Sequence, residues 1–322
     1  MSDFSRVLVT GGAGFIGSHL VKALVNKCSV IVLDNLCSGS LENLHRVVEG
    51  GGIKFVRGDV RDKKAVRDAM NGVDAVVHLA ALINVEASVK NPFETHDVNV
   101  NGTLNVLKEA VRAGVKRFVF ASSAAVYGDA NPLPLKEEYP PHPISPYAAS
   151  KAAAEGYCLT FNRCYGLETV ILRYFNVYGP GQGNSAYSGV ITKFLRNALK
   201  GEPLIVYGDG EQTRDFIYVD DVAKATVLAL ENENAAGETF NVSSGKPTTI
   251  NELVEIVKEF ARCDLKVIYK EPRKGDVRHN YGDPAKAEKI LGFKAMIGLR
   301  KGLEQLANKF LPSDLSQISW VK

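Results

Sequence analysis

Cysteine is scarce and unpaired in this sequence. The 322 residues include five cysteines, with no C-x-x-C pair among them. An odd number at irregular spacing gives no disulfide framework, so we expect reduced thiols. Histidine is equally sparse, and His78, the one near a predicted strand end, lacks partners at metal-ligand spacing. The sequence therefore predicts no metal site, and a packed, hydrogen-bonded role for His78.

Long apolar runs and an excess of either charge are also missing. No apolar run reaches the roughly 18 residues of a membrane span, and residues 1–5 leave no room for a signal peptide. The net charge of +3 is spread along the chain, without the clustered basic face that nucleic-acid binding requires. These absences predict a cytoplasmic protein with neither a membrane nor a nucleic-acid partner.

A strand, a glycine loop and a helix start follow one another at residues 6–17, RVLVTGGAGFIG. Gly11, Gly14 and Gly17 stand where a dinucleotide site needs no side chain: at the tight turn, at the pyrophosphate and where helix packs on strand. Free N–H groups of the first helical turn would then face the phosphates. For the glycines alone, a structural turn is the alternative.

The second predicted strand, 29–33, is followed directly by Asp34, about twenty residues beyond the glycines, where a dinucleotide site places a carboxylate on the adenosine ribose. No Arg or Lys follows between Asn35 and Gly39. A 2′-phosphate would be repelled by Asp34 and would find no cation there. The sequence therefore predicts that the cofactor is NAD and not NADP.

Strands and helices alternate through the first half of the chain. Strands are predicted at 6–10, 29–33, 53–57, 74–81, 117–121 and 169–173, with helices at 15–26, 63–70, 92–113 and from Tyr147 onward. Such alternation predicts an α/β fold, a Rossmann-type doubly wound parallel sheet with ligands at the carboxyl ends of its strands. We therefore expect the chemistry in the loops after strands four, five and six.

The pattern changes to shorter elements from about residue 181, which predicts a smaller C-terminal α/β lobe. Length alone leaves open two domains or one large unit with an appended lobe. We assign residues 1–180 to the cofactor domain, with 215–240 packing back onto it. Residues 181–311 are assigned mainly to a substrate lobe, and 312–322 to a tail.

Tyr147 and Lys151 lie four residues apart on a predicted helix, so both project from one face. An ammonium beside a phenol, together with a bound nicotinamide cation, would lower the tyrosine pKa from about 10 toward working pH. Tyr147 could then take a proton from a hydroxyl while hydride leaves the same carbon for NAD. A solvated helix face is the alternative, but the preceding strand end, with Ser123 placed to bond the same substrate oxygen, favours chemistry.

Several motifs together resemble the extended short-chain dehydrogenase/reductase family. They are Thr10-Gly-Gly-Ala-Gly-Phe-Ile-Gly17, Asp34, Asp59, His78-Leu-Ala-Ala81, Asn99, Ser122-Ser123, Tyr147-x-x-x-Lys151, Arg173-Tyr-Phe-Asn176 and Arg214-Asp-Phe. The similarity runs from residue 6 to about 310. Within the family it is strongest to the UDP-hexose 4-epimerases and their nucleotide-sugar relatives.

This resemblance implies three catalytic residues: Tyr147 as the base, Lys151 as its partner and nicotinamide-ribose ligand, and Ser123 as the group that positions the hydroxyl. It implies a set of NAD contacts: Gly11, Gly14, Phe15, Ile16, Gly17, Asp34, Asn35, Ser38, Gly39, Asp59, Val60, Leu79, Ala80, Ala81, Asn99, Ser122, Tyr147, Lys151, Tyr174 and Val177. It also implies a set of UDP-sugar contacts: Ser123, Tyr147, Asn176, Val190, Phe194, Tyr207, Arg214, Arg273, Asp276 and Asn280. The two arginines make independent sense, because a diphosphate without a metal motif needs guanidinium forks.

The sequence departs from the family pattern in two ways. Ala125 stands where some galactose epimerases carry a hydroxyl residue beside the sugar, so one expected hydrogen bond is missing. Residues 123–127 also lack the acidic residue that dehydrating and decarboxylating relatives usually show there. We therefore expect reversible C4 epimerisation of a UDP-hexose, UDP-glucose or UDP-galactose, through a 4-keto sugar.

Other functions stay open at this point. Asn280 falls where the family gates bulk at C2 of the sugar, and it is smaller than tyrosine, so N-acetylated UDP-hexoses are an alternative; UDP-glucuronate is another. A non-catalytic NAD-sensing scaffold is an alternative from a different class, although it would need no reactive tyrosine. The resemblance also implies a homodimer through helices 92–113 and 146–163. Burial of these helices within one chain would equally explain their apolar faces.

Overall fold

The computed structural model describes residues 4–45, 52–129, 131–182, 189–261, 265–272 and 277–310. Its strands are β1 (Arg6–Thr10), β2 (Ser29–Asp34), β3 (Ile53–Arg57), β4 (Ala75–His78), β5 (Arg117–Ser123), β6 (Glu168–Tyr174), β7 (Asn176–Tyr178), β8 (Leu204–Tyr207), β9 (Thr213–Tyr218), β10 (Thr239–Val242), β11 (Pro247–Thr249), β12 (Val267–Lys270) and β13 (His279–Asn280). Its α-helices are α1 (Phe15–Leu24), α2 (Lys63–Ala69), α3 (Val85–Lys90), α4 (Pro92–His96), α5 (Gly102–Ala113), α6 (Pro146–Tyr165), α7 (Val190–Lys200), α8 (Val219–Glu231), α9 (Ile250–Ala261), α10 (Ala285–Leu291) and α11 (Leu299–Phe310).

The central sheet is parallel and seven-stranded, in the order β3-β2-β1-β4-β5-β6-β10. Both of its faces are buried, because alternate residues along β1 enter different cores: Val7 and Val9 pack on one face and Leu8 on the other. Burial on both faces explains why the strands read as continuous apolar runs. The strand order reverses between β1 and β4, which is the switch point at which such sheets bind ligands. The predicted fold class is confirmed.

β5, β6 and, by one residue, β2 run further than the sequence predicts, and β4 stops earlier. β5 reaches Ser123 and β6 reaches Tyr174 because the two remain paired to that level. β4 ends at His78, its last partner on β1 being Thr10. Residues 79–81 are therefore a loop at the carboxyl edge of the sheet, not part of the predicted strand.

The predicted helix 92–113 is divided into three pieces. α4 and α5 are joined by a π-helical segment, Asp97–Asn101. Asn99, inside that segment, is buried and bonds to the loop after β4. This contact with a remote loop explains the irregular turn, which periodicity alone does not show. α3, just before it, was not predicted.

The second half of the chain contributes to both parts of the molecule. β10 is the edge strand of the central sheet, and α8 packs against α1. α10 packs on β10 as well. The other elements form a separate core: β7, β9, β11 and β13 make one sheet, β8 and β12 pair, and α7, α9 and α11 pack on them. No helix within the described ranges is long and apolar enough to span a bilayer. The four cysteines in those ranges, Cys28, Cys37, Cys158 and Cys164, are unpaired.

Candidate active site

A cavity of about 550 Å³ lies at the carboxyl edge of β1, β4, β5 and β6. It contains the glycine loop at one end and the Tyr147 pair at the other. The predicted residues in its wall are Gly11, Gly14, Phe15, Ile16, Gly17, Asp34, Asn35, Ser38, Val60, Leu79, Ala80, Ala81, Ser122, Ser123, Tyr147, Lys151, Tyr174, Asn176, Val177, Arg214 and Asn280. Residues from distant parts of the chain are thus brought to one site.

The glycine loop has the geometry of an anion site. Gly11 adopts a φ of +70°, and a Cβ there would lie 2.8 Å from the Ala80 nitrogen. A Cβ on Gly17 would collide with the Gly11 carbonyl oxygen. Gly14 precedes α1 without a side-chain cap, so the first-turn N–H groups are available to a phosphate. The loop therefore fits the pyrophosphate of a dinucleotide.

Asp34 is held in one orientation at the end of β2. Its Oδ2 accepts from the backbone N–H of Ala13 at 3.0 Å, and its Oδ1 from that of Leu36 at 2.8 Å. Each carboxylate oxygen keeps a further acceptor site for a ribose hydroxyl. Gly39 does not line the cavity, but a Cβ there would lie 2.8 Å from the Ala13 backbone. Its lack of a side chain lets the loop after β2 close on the glycine loop.

Asp59 does not line the cavity, and its carboxylate is already engaged. Arg61 donates to it through Nε at 2.9 Å and Nη2 at 2.8 Å, and Asn35 donates at 2.9 Å. The hydrogen bonds from Arg61 lower the pKa of Asp59. Arg61 itself lines the cavity and also reaches Asp97 at 3.4 Å. Arg61 follows β3 and so lies outside residues 35–39, where the sequence shows no cation; the adenine contact of Asp59 stays a prediction.

Asn99 supports the cavity from behind without lining it. Its side chain exchanges two hydrogen bonds with the backbone of Leu82, at 2.7 and 2.9 Å, and donates to Ser150 at 2.9 Å. These bonds fix the loop after β4 against α6. Direct support of the cofactor by Asn99 remains a prediction.

His78 is buried between two hydroxyls, as a packed, hydrogen-bonded histidine. Its Nδ1 lies 2.7 Å from Thr10 Oγ1 and its Nε2 lies 2.9 Å from Thr103 Oγ1. Burial, and secondarily the charge of Lys151, lowers the pKa of His78 to about 3. His78 is therefore neutral at neutral pH. Within the described residues, no cluster of three or more His, Cys, Asp or Glu could hold a metal.

The reacting residues meet where α6 begins and β5 ends. Ser145 caps α6 by accepting from the Ala148 N–H, with Pro146 in the first turn, so Tyr147 enters the cavity at the helix start. Lys151 lies one turn later and is buried; its Nζ donates to the Ala121 carbonyl at 2.8 Å and lies 4.9 Å from the centre of the Phe120 ring. Burial lowers the pKa of Lys151 to about 8.

The pKa of Tyr147 differs from the sequence-based expectation. Burial raises it, and a hydrogen bond with Ser123 opposes the rise only in part. We expected Lys151 to lower the pKa of this phenol, but the Lys151 ammonium bonds to the Ala121 carbonyl. In the protein alone, Tyr147 is therefore a protonated phenol, and a positive charge brought by the cofactor is needed to favour the phenolate.

The wall also carries predicted sugar contacts from the second half of the chain. Arg214 lies in the wall and donates to the carbonyls of Thr213 at 2.8 Å and Arg278 at 3.3 Å. Asn280 is 6% exposed, and its Oδ1 is buried without a hydrogen-bond partner. An unpaired buried oxygen in a cavity wall suits a ligand that donates a hydrogen bond.

Five predicted sugar contacts are not placed in this wall. Phe194 is buried in the core of the second lobe, and Val190 packs against the same core. Tyr207 lines another groove, at the carboxyl ends of the paired strands β8 and β12. Contacts of these three with a UDP-sugar remain predictions. Arg273 and Asp276 lie outside the described residues, as does the predicted tail.

Asp215 is a site-supporting residue that the sequence analysis missed. Its fully buried carboxylate accepts from Ser244 through N at 2.8 Å and Oγ at 2.6 Å, from Gly245 at 2.9 Å and from Gly282 at 3.2 Å. These bonds join β9 to the segments after β10 and β13. They fix the strands that carry Arg214 and Asn280; the only sequence signal was the Arg-Asp-Phe motif.

Known proteins resemble this chain along almost its full length. The model of the NAD dependent epimerase/dehydratase family matches residues 7–243. A Methanocaldococcus jannaschii protein, provisionally assigned as a UDP-glucose 4-epimerase, is 45% identical over 306 residues, covering 94% of this chain and 97% of that protein.

Solved structures are also similar to this chain along almost its full length. UDP-glucose 4-epimerase from Thermotoga maritima, solved with UDP-glucose, superposes with a TM-score of 0.90 at 41% identity, covering 95% of this chain and 98% of that one. UDP-N-acetylglucosamine 4-epimerase from Methanobrevibacter ruminantium, in complex with UDP-N-acetylmuramic acid, gives 0.91 at 40%, covering 99% and 100%. Other relatives, at 33 to 36% identity, are named as decarboxylases or dehydratases of nucleotide sugars. The chain belongs to the NAD dependent epimerase/dehydratase family, an extended short-chain dehydrogenase/reductase family whose members are enzymes that use NAD.

Proposed function

We propose that this protein catalyses reversible C4 epimerisation of a UDP-hexose, interconverting UDP-glucose and UDP-galactose through a 4-keto sugar. The observation that supports this most directly is the convergence of Ser123, Tyr147 and Lys151 in the cavity wall that also holds the glycine loop and Arg214. In this proposal Arg214 binds the substrate diphosphate. A catalytic triad of this kind distinguishes the enzyme from a scaffold that only senses NAD.

Each reacting residue has one task in this proposal. Ser123 donates a hydrogen bond to the sugar 4-oxygen, while Tyr147 removes the hydroxyl proton and later returns it. Lys151, held by the Ala121 carbonyl, binds the nicotinamide ribose, and the positive charge that favours the phenolate comes with the bound cofactor. When bound, NAD supplies a hydride acceptor and donor at C4. Turning the keto sugar over in the cavity exposes its other face, so the reaction inverts C4 with no net oxidation.

The wall favours epimerisation over related reactions. Ala124 and Ala125 line it beside Ser123, where a dehydratase or decarboxylase would need an acidic side chain. A uronate would need a cation at its carboxylate, but the described cations of the wall are Arg61, Lys151 and Arg214. Each of these has another assigned task or partner. UDP-glucuronate is therefore the less favoured substrate.

UDP-N-acetylglucosamine is a second candidate, and a specific observation favours it. The Oδ1 of Asn280 is buried without a partner, and an acetamido N–H is a donor that would satisfy it. A relative at 40% identity is a UDP-N-acetylglucosamine 4-epimerase. We therefore propose that the cavity accepts N-acetylated UDP-hexoses alongside UDP-galactose.

The test supplies UDP-galactose, UDP-N-acetylgalactosamine and UDP-glucuronate separately to the purified protein without added NAD, and follows the C4 isomers by NMR. We expect turnover of the first two and retention of NAD through purification. Stoichiometric consumption of NAD would favour a net oxidoreductase, and binding without turnover would favour a sensing scaffold. Absence of UDP-N-acetylgalactosamine turnover alone would reject only the second candidate.

We also propose a homodimer and a cytoplasmic location, both of which rest on the family resemblance and composition. The dimer would form through helices 92–113 and 146–163. Large apolar side chains are exposed in this region, including Phe93 at 86% and Tyr157 at 40%.

A further inference from the structure

Glu155 is a buried carboxylate on the catalytic helix. It lies on α6 one turn beyond Lys151 and two turns beyond Tyr147, so the three residues share a face. Its side chain is 5% exposed, as is that of Arg173 on β6. Arg173 donates through Nε to Oε1 at 3.0 Å and through Nη2 to Oε2 at 2.7 Å, a two-pronged ion pair.

The same carboxylate also binds the neighbouring strand. Ser122 Oγ donates to Glu155 Oε1, and Ser122 and Arg173 are directly opposite each other in the pairing of β5 with β6. One side chain thus joins the helix to the carboxyl ends of two strands. Ser122 stands between Ala121, the acceptor of Lys151, and the catalytic Ser123.

We propose, resting on the function proposed above, that Glu155 with Arg173 is a positioning residue for the reaction. The pair fixes the position of α6 relative to the ends of β5 and β6. In that position Lys151 reaches the Ala121 carbonyl and Tyr147 reaches Ser123. It also places the buried negative charge of Glu155 beside Lys151 and the buried positive charge of Arg173 against Glu155.

Apart from the Glu155–Arg173 pair, the described titratable groups around Lys151 carry no charge that would shift its pKa. Cys158 faces Lys151 from its own helix, but burial raises the pKa of the thiol, which is therefore neutral. His78 on β4 is neutral because its pKa is about 3, and Tyr147 is a phenol. Although burial alone would lower it, the pKa of Arg173 is raised by its hydrogen bonds to Glu155. Glu155 and Arg173 form an ion pair, and Glu155 opposes the effect of burial on the Lys151 pKa.

Arg173 is anchored on its far side as well. Its guanidinium carbon lies 4.6 Å from the centre of the Tyr127 ring, and Nη1 donates to the Glu137 carbonyl at 3.3 Å. These contacts hold the cation in place when Glu155 is changed, so its charge is then no longer balanced by a carboxylate, whereas loss of Arg173 leaves the Glu155 charge unbalanced beside Lys151. Opposite changes to the two partners should therefore shift the Lys151 titration in opposite directions.

The experiment compares Glu155→Gln, Arg173→Met and the double variant Glu155→Met/Arg173→Met. Two profiles are measured across pH: kcat for C4 inversion of UDP-galactose by the NAD-loaded protein, and the affinity for NAD. We expect the basic limb of both profiles to move to lower pH in Glu155→Gln and to higher pH in Arg173→Met. A shift of about one pH unit changes the rate on that limb about tenfold. Limbs that stay in place, or move the same way in both variants, would overturn the proposal.

Loss of either partner alone leaves a buried unpaired charge, which can prevent folding. If a single variant does not fold, the double variant tests the proposal, because it leaves no unpaired charge. With thermal stability retained, we expect its kcat to fall about tenfold while KM for UDP-galactose is unchanged. An unchanged kcat would overturn the positioning role. If the wild-type protein inverts no UDP-hexose, the proposed function fails, while the pH dependence of NAD affinity still decides the role of Glu155.

Discussion

Tyr147 is a buried phenol whose pKa is raised by its surroundings, and its hydroxyl is the only part of the side chain that the proposed reaction uses. Tyr147→Phe keeps the ring, which is 8% exposed, and removes the proton acceptor. We expect kcat to fall by about 10²- to 10⁴-fold, the usual contribution of a general base, with UDP binding unchanged by calorimetry. A variant with near-normal turnover would remove Tyr147 from its assigned role.

Lys151 is buried at the expense of stability. Its pKa is about 8 in the folded protein against an ordinary 10.5, so the unfolded chain holds more protons between these values and stability rises with pH across that window. Below pH 8 the buried charge costs about 3 kcal/mol. We expect Lys151→Met to abolish turnover yet raise the free energy of unfolding at pH 7, with a smaller gain at pH 10. Urea titrations at both pH values measure this, and an unstable variant at pH 7 would contradict it.

Spacing was enough to predict that three residues meet in one cavity wall, where we propose that they react, but it did not predict the residues that support them. Ser123, Tyr147 and Lys151 fall at positions set by one strand end and one helix turn, both local features. Asp215 and Glu155 are ordinary acidic residues in the sequence. Their partners, such as Gly282 and Arg173, are brought close only by the fold, so neither their burial nor their role follows from the sequence.

Among the secondary-structure elements, those with strong local periodicity were predicted well. α1 and the first three strands lie within a few residues of the predicted bounds. β7, β11 and β13 were missed because strands of two or three residues show no periodicity. The π-helical turn at Asp97–Asn101 was missed because Asn99 hydrogen-bonds to the loop after β4, which is remote in the sequence.

The close contact between α1 and the glycine loop predicts that adding a single methyl group at Gly17 is harmful. In Gly17→Ala the Cβ would meet the Gly11 carbonyl oxygen and the Gly12 Cα, so the helix must move away from the loop. We expect a loss of about 1 to 3 kcal/mol in stability and at least a tenfold weaker affinity for NAD, measured by calorimetry.

Gly156→Ala is the matched control for this substitution. Gly156 is also helical, and a Cβ at this position would have no atom within 4 Å beyond its own stretch of helix. The alanine should leave NAD affinity unchanged and stabilise the helix by up to about 1 kcal/mol. Equal NAD affinity in both variants would show that close packing of α1 on the loop is not required.

For the whole molecule, the sheet topology followed from alternation, whereas assembly with a second copy did not. α3, α4 and α6 contact one another and expose Val89, Phe93 and Tyr157, at 58%, 86% and 40%. Large apolar side chains exposed on neighbouring helices mark interaction surfaces. A second copy of the same face would bury them symmetrically.

Phe93→Glu tests this assembly, because a carboxylate buried against an apolar copy would be strongly unfavourable. We expect the wild-type protein to sediment as a dimer at micromolar concentration and Phe93→Glu as a monomer. Met296→Glu is the control, since Met296 is also largely exposed, at 67%, but lies between α10 and α11, away from these helices; it should remain dimeric. A monomeric wild-type protein, or dissociation by Met296→Glu alone, would reject this face as the dimer interface.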